Sequence, residues 1–241
     1  MQRGFKEPGD KPRRFYKAVS VAPEPGGFLV KLDERAVRTP GGARLVLPTE
    51  ALARLIADEW AAQGERLEMA AMHATRLANT AIDAIPAARE PTAADVAQFA
   101  ASDLLCYRAE APAALTERQA ERWDPILARA EREAGLSFVR ARGIVHQAQP
   151  ARTPARVRAL ALELDDFRLA GLAFGAALYG SAVLAIAALR AWLSAEEAFD
   201  LSRLDEAWQE DMWGEDAEAA QRTARLRGEA RTLERWFRSL G

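Results

Sequence analysis

The stretch of this sequence richest in groups that do chemistry is Ser194–Gly214, SAEEAFDLSRLDEAWQEDMWG. Read as one helix running from a Ser194/Glu197 capping box to Gly214, it sets Ser202, Glu206, Gln209 and Trp213 in one row at i, i+4, i+7, i+11. Leu201, Leu204, Asp205, Trp208 and Met212 share the neighbouring, more apolar face. A carboxylate, an amide and an indole in one row suit recognition of a protein surface, with hydrogen bonds around an aromatic anchor. The same row also fits a boundary stripe packed against another helix of the chain, and spacing alone leaves both open. Acids that are sequence neighbours, Asp165-Asp166 and Glu196-Glu197, point differently around a helix and form no acid–base dyad.

The common catalytic signatures do not occur in the sequence. It holds no G-x-G-x-x-G, no phosphate loop and no G-x-S-x-G elbow. His73 and His146 lie far apart without ligand-spaced partners, so both read as packed or surface residues. The single cysteine, Cys106, excludes an intramolecular disulfide and a cysteine-cluster zinc site. It reads as a small apolar residue on a helix and fits a reducing compartment. No catalytic residue, metal ligand or cofactor site emerges, and a small soluble enzyme with a carboxylate-based site is the competing class.

Composition sets the frame for these residues. A chain of 241 residues, 49% apolar and 28% charged, builds a folded core in one large domain or two modest ones. Lys+Arg 33 against Asp+Glu 35 leaves no basic excess for nucleic acid. All four lysines fall in the first 31 residues, whereas 191–221 carries ten acids against the single base Arg203, a local charge of roughly −9. That run is either a solvated acidic face or a docking surface for a basic partner. The opening MQRGFKEPGDKPRR has no apolar core and reads as a flexible tail rather than a secretory signal. Leu169–Leu189 is 21 residues without a charge, long enough to span a bilayer. Its many Ala and Gly residues insert weakly, so a buried core helix is expected and no stable membrane insertion.

The elements change character along the chain. Phe15–Val21 and Phe28–Leu32 alternate with a period of two around the turn Pro23–Gly27. Ala36–Arg38 and Arg44–Leu47 continue as short strands of an antiparallel meander. From Thr49 the period is helical: Leu52, Leu55, Ile56 and Trp60 make one stripe, and Leu77, Ala78, Ala81, Ile82 and Ile85 another. Pro86–Pro91 reads as a linker, dividing the chain into a β-rich domain over 1–88 and a helical domain over 89–241. Thr92 then caps a helix with Val96, Phe99, Ala100, Leu104 and Tyr107 inward. Thr116 with Gln119 reads as a capping box for a helix kinked at Pro125 and ended by Gly135. Thr153-Pro154 starts the next, which runs into the uncharged stretch and bends near Gly180-Ser181. A last helix covers about Ala217 to Leu240. Residues 144–149 read as either strand or loop. The expected class is α+β, a small antiparallel N-terminal β-rich domain followed by a larger all-helical bundle.

Six separated segments, LDERAVRTPGGARLVLP, EWAAQGE, TRLANTAID, SDLLCYRAE, RQAERWDPIL and SRLDEAWQEDMWGEDAEA, occur in the order found in one family. From about Arg14 to about Ala220 the chain resembles the ATP-synthase assembly chaperones that bind the alpha subunit of the F1 sector, known from mitochondria and some bacteria. The resemblance implies no enzymatic activity and a free alpha subunit as partner. The chaperone would shield its beta-contacting surface until beta replaces it. The family pattern D-E-x-W/F-Q-x-x-x-W-G falls on Asp205, Glu206, Trp208, Gln209, Trp213 and Gly214. It marks the acidic pair without choosing between Asp205 and Glu206; geometry favours Glu206, since Asp205 sits on the apolar face. TRLANTA supplies Thr75, Arg76, Asn79 and Thr80, read here as bridging the two domains. No organelle presequence precedes these motifs, so a monomer in the bacterial cytoplasm is expected, with the mitochondrial matrix the home of organelle relatives.

Overall fold

The computed structural model describes residues 11–143, 145–214 and 216–241. Most of the opening tail, together with Ile144 and Glu215, lies outside the described residues. The class is α+β: a small antiparallel sheet near the N-terminus, then a helical bulk.

The central strand is β2 (Gly27–Leu32). β1 (Val19–Glu24) pairs along its whole length, with Val19 opposite Leu32 and Val21 opposite Val30. β3 (Arg35–Ala36) and β4 (Val46–Leu47) share the other edge, at the two ends of β2. Val19, Val21, Val30 and Leu32 thus project from one face, against the stripe Leu52, Leu55, Ile56 and Trp60 of α1 (Glu50–Ala61). Thr49 caps α1 by accepting from the Leu52 N–H. The first strand begins later than the alternation suggested: Phe15 is exposed, and Tyr16 is buried with its hydroxyl on the Trp60 carbonyl.

α2 (His73–Asp83) and α3 (Ile85–Ala101) follow. The stretch 86–91, expected as a linker, lies within α3, two helical segments joined across a kink at Ala88. Pro86 occupies the first turn of α3, where its missing N–H costs nothing. Pro91 lies inside the helix, and the strain is taken up by non-helical backbone at Ala88 (φ −130, ψ 23). Arg89, in this stretch, donates to the Leu162 and Leu164 carbonyls at 3.0 and 2.5 Å and pairs with Asp166. One apolar cluster runs from Tyr16 and Val30 through to Leu233 and Leu240.

Cys106 is buried in a short 3-10 turn, not on an α-helix, and burial pushes its thiol up to about 12. The helical half also holds a two-residue parallel ladder, β5 (Tyr107–Arg108) with β6 (Ala141–Arg142). α4 (Ala113–Ala134) is one helix through Pro125, ending at Gly135. The expected Thr116/Gln119 capping box is absent. Thr116 donates to the Ala109 carbonyl, and Gln119 is fully buried. Described residues 145–149 form no helix or strand.

α5 (Arg152–Leu162) stops before the uncharged stretch, and α6 (Asp166–Tyr179) starts anew under an Asp165 cap. Gly180 (φ 64) ends α6, and Ser181 caps α7 (Ala182–Leu189), buried from Ala182 to Ala188. The apolar stretch is therefore two short helices inside the core; no helix among the described residues is long and apolar enough to cross a membrane. Gly171 and Gly175 let α10 (Ala217–Leu240) lie close on α6. A Cβ on Gly171 would stand 2.6 Å from Phe237, and one on Gly175 3.1 Å from Leu233.

Asp103 ties this centre together. It is wholly buried and accepts from the Ser181 hydroxyl at 2.7 Å, the Val183 N–H at 3.0 Å and the Leu105 N–H at 3.1 Å. Burial lifts its carboxyl to about 6, against the opposing pull of those hydrogen bonds.

Candidate functional site: a docking helix

The capping box at Ser194/Glu197 is present, with reciprocal bonds of 2.8 and 3.1 Å. It holds the Glu197 carboxyl below its ordinary range. The helix it starts does not reach Gly214. α8 (Ala195–Ser202) ends at Arg203 (φ −113, ψ 21), and α9 (Leu204–Trp213) follows as a separate helix. The expected row is corrected accordingly. Ser202 closes α8, its hydroxyl on the Phe199 carbonyl at 2.7 Å, and belongs to a different helix from Glu206, Gln209 and Trp213.

α9 buries only Leu204. It is held to α4 through polar groups: the Gln119 amide donates to Asp205 Oδ1 at 2.7 Å and accepts from the Ala109 N–H at 2.8 Å. Arg118 reaches Asp211 at 3.2 Å and lies 5.8 Å over the half-buried Trp208 ring. Below the α8–α9 break, Trp123 donates to the Leu201 carbonyl at 2.9 Å. Asp205 thus faces the body of the protein and is committed to Gln119. Glu206 faces outward, with Arg203 at 3.5 Å.

The outer side of α9 is open. Glu206 and Gln209 are exposed, Met212 is 61% exposed and Trp213 79%, with Gly214 (φ 90) closing the helix. Met212, placed on the apolar face by the sequence pattern, is in fact exposed like Trp213, while Leu204 and Trp208 of that face pack on the core. Part of the acidic run is matched by arginines from other elements: Arg227 on Asp200 at 2.7 Å and Arg231 on Glu196 at 3.0 Å. Such exposed pairs contribute about 0–1 kcal/mol each, so they shape the surface more than they stabilise it.

The TRLANTA residues lie elsewhere. Thr75 is buried, and its N–H and hydroxyl both donate to Glu59 at 2.8 Å, while the Ala74 N–H donates to the other oxygen at 2.8 Å. Glu59 therefore caps α2 from α1, and Thr75 joins two N-terminal helices rather than bridging to the helical half. Arg76 donates to the Ala70 carbonyl and Thr80 to the Arg76 carbonyl, each at 3.2 Å, both local bonds. Arg76, Asn79 and Thr80 line a groove of about 370 Å³ against Phe174 and Thr232. Asn79 Oδ1 is buried there with no hydrogen-bond partner. Among the described residues no three His, Cys, Asp or Glu side chains converge as metal ligands. His146 shares a 3.1 Å hydrogen bond with Tyr107.

Gln119, Arg118 and Glu59 were not singled out for these roles by sequence reasoning. Their partners lie 86, 93 and 16 residues away, and no local spacing signals such pairs.

Comparison with known proteins fits this architecture. Solved structures of Atp12 from Paracoccus denitrificans and of a mutant of it superpose with TM-scores of 0.88 at 39% identity, covering 95% of this chain and 98% of theirs. A protein from Agrobacterium tumefaciens superposes with a TM-score of 0.90 at 41% identity, over 95% of this chain and 87% of that one. The fold is a chaperone's. The family model described as ATP12 chaperone protein matches residues 13–131. Mitochondrial atp12 of Schizosaccharomyces pombe is 29% identical, over 84% of this chain and 74% of its own length. The chain belongs to the ATP12 chaperone family, which serves ATP synthase assembly.

Proposed function

We propose that this chain holds the free alpha subunit of the F1 sector through the outer face of α9, shielding the surface that alpha later buries against beta. The observation that carries the reading is the exposed Met212–Trp213 pair at the end of α9, with Glu206 and Gln209 on the same helix. A large indole in solvent is a poor surface residue but a good anchor once covered. The acids around it favour a basic rim on the partner. Asp205 is the positioning residue, fixed by Gln119, and Glu206, facing outward beside Arg203, is the carboxylate that reaches alpha. The activity is binding rather than turnover, and the chain acts as a monomer; we place it in a bacterial cytoplasm, as a counterpart of the mitochondrial relative.

The test is alpha-subunit solubility on dilution from denaturant, with and without the chain. Trp213→Ala and Glu206→Ala should keep the parent's circular dichroism and melting temperature. Trp213→Ala should weaken alpha binding by about 2 kcal/mol. Variants that fold and protect alpha as well as the parent would refute the docking role of α9.

A further inference from the structure

The groove between α2, α6 and α10 is the feature the α9 surface leaves unexplained. Its floor is apolar, from Leu77, Phe174 and Leu233. Its walls are polar: Arg76, Asn79 and Thr80 on one side, Glu229 and Thr232 on the other. A volume of about 370 Å³ is at the small end of ligand sites. It is too short for a docked helix, which is about 10–12 Å across, but suits an extended segment that seats one apolar side chain.

Asn79 gives the groove its chemistry. Its Oδ1 is sealed from solvent and receives no hydrogen bond, an uncompensated desolvation that native proteins seldom keep. The residue as a whole is only half-buried. The terminal amide turns about a soft, roughly two-fold torsion, so rotation can bring this carbonyl to a donor arriving in the groove. A backbone N–H is the donor an extended chain presents beside an inserted side chain. Arg76, one turn earlier on the same helix, is exposed and has guanidinium donors beyond the one given to Ala70. It can take the carbonyl of the same segment.

We propose that this groove is a second client site, which grips an extended segment of the alpha subunit by one apolar side chain, with Asn79 accepting from its backbone. The inference rests on the alpha subunit being the client, but not on α9 being the place where it binds. Two separated contacts on one client would raise the affinity beyond either alone.

The experiment uses the full chain and refolding alpha subunit. Asn79→Leu removes the amide at nearly constant volume, and Thr80→Trp, at an exposed rim position, blocks the groove mouth without touching the core. Each should weaken alpha binding by about tenfold or more, with a melting temperature no lower than the parent's. A photo-crosslinking residue at Thr80 should capture one contiguous alpha peptide, while the same residue at the exposed Arg54 captures none. If Trp213→Ala fails to hold alpha while both groove variants hold it normally and the Thr80 probe captures nothing, the groove inference is overturned and the α9 reading stands. If the groove variants fail and Trp213→Ala does not, the groove stands and the α9 reading falls. An intact chain that does not hold alpha overturns both.

Discussion

Gln119 is the residue on which the position of α9 turns, and replacing it is the sharpest test of the architecture. Its side chain is fully buried and makes two hydrogen bonds, to the Ala109 N–H and to Asp205 Oδ1. Gln119→Leu keeps most of the volume, so the cavity term is small. What is lost is a partner for a backbone N–H and a partner for a carboxylate, each worth about 1–3 kcal/mol when left unmade. Asp205 is half-buried and water recovers part of its loss, which sets the expected destabilisation at about 2–4 kcal/mol. For a chain of this size that lowers Tm by roughly 5–15 °C. Urea unfolding should show the loss as a lower midpoint at constant slope. Hydrogen exchange should show α9 amides losing protection while those of α7 keep theirs. In a double-mutant cycle, Gln119→Leu and Asp205→Ala should couple by about 1–2 kcal/mol. Gln119→Leu within about 0.5 kcal/mol of the parent, with α9 still protected, would refute the reasoning.

Gly171→Ala should destabilise by about 1–3 kcal/mol through overpacking against Trp236 and Phe237, read by thermal melting; a neutral variant would show that α10 can back away. Arg89→Ala strips the Leu162 and Leu164 carbonyls and Asp166 of their shared donor. It should cost about 2–3 kcal/mol by urea titration. Asp103 should titrate near 6 by carboxyl carbon NMR. Its folded value stands above its ordinary 3.8, so the folded state binds the extra proton between those values. This group's contribution to stability therefore falls as pH rises from about 4 to about 6, by on the order of 3 kcal/mol. Asp103→Asn should flatten that window.

What was legible in the sequence was what is encoded locally. The Thr49 cap, the Ser194/Glu197 box, the stripe Leu52–Trp60 and the span Ala217–Leu240 all depend on neighbours within a turn or two, and all stand in the structure. Helical spacing put Glu206, Gln209 and Trp213 in one row but left open whether the row packs or faces solvent; all three are exposed. What spacing could not show was set by distant partners. Leu201 to Met212 keeps helical periodicity straight through Arg203, yet the chain turns there, where Trp123 and Gln119 hold α8 and α9 from α4. Pro86 and Pro91 read as punctuation; the structure keeps Pro86 in a first turn and confines the break to a kink at Ala88 between two helical segments. Gln119 looked like a cap because its spacing from Thr116 is right; its burial is a property of the packed bundle.

The closing contact of the fold sets a timescale. Helical proteins fold quickly when their contacts are local. Here the Thr49 hydroxyl, at the start of α1, donates to the Ser239 carbonyl 190 residues later, at 2.6 Å. Leu233 and Trp236 complete the same core from α10. During synthesis α1 therefore emerges long before α10, which packs against it, and that side of α1 stays open to other chains in the interval. An assembly chaperone thus passes through an exposed wait of its own.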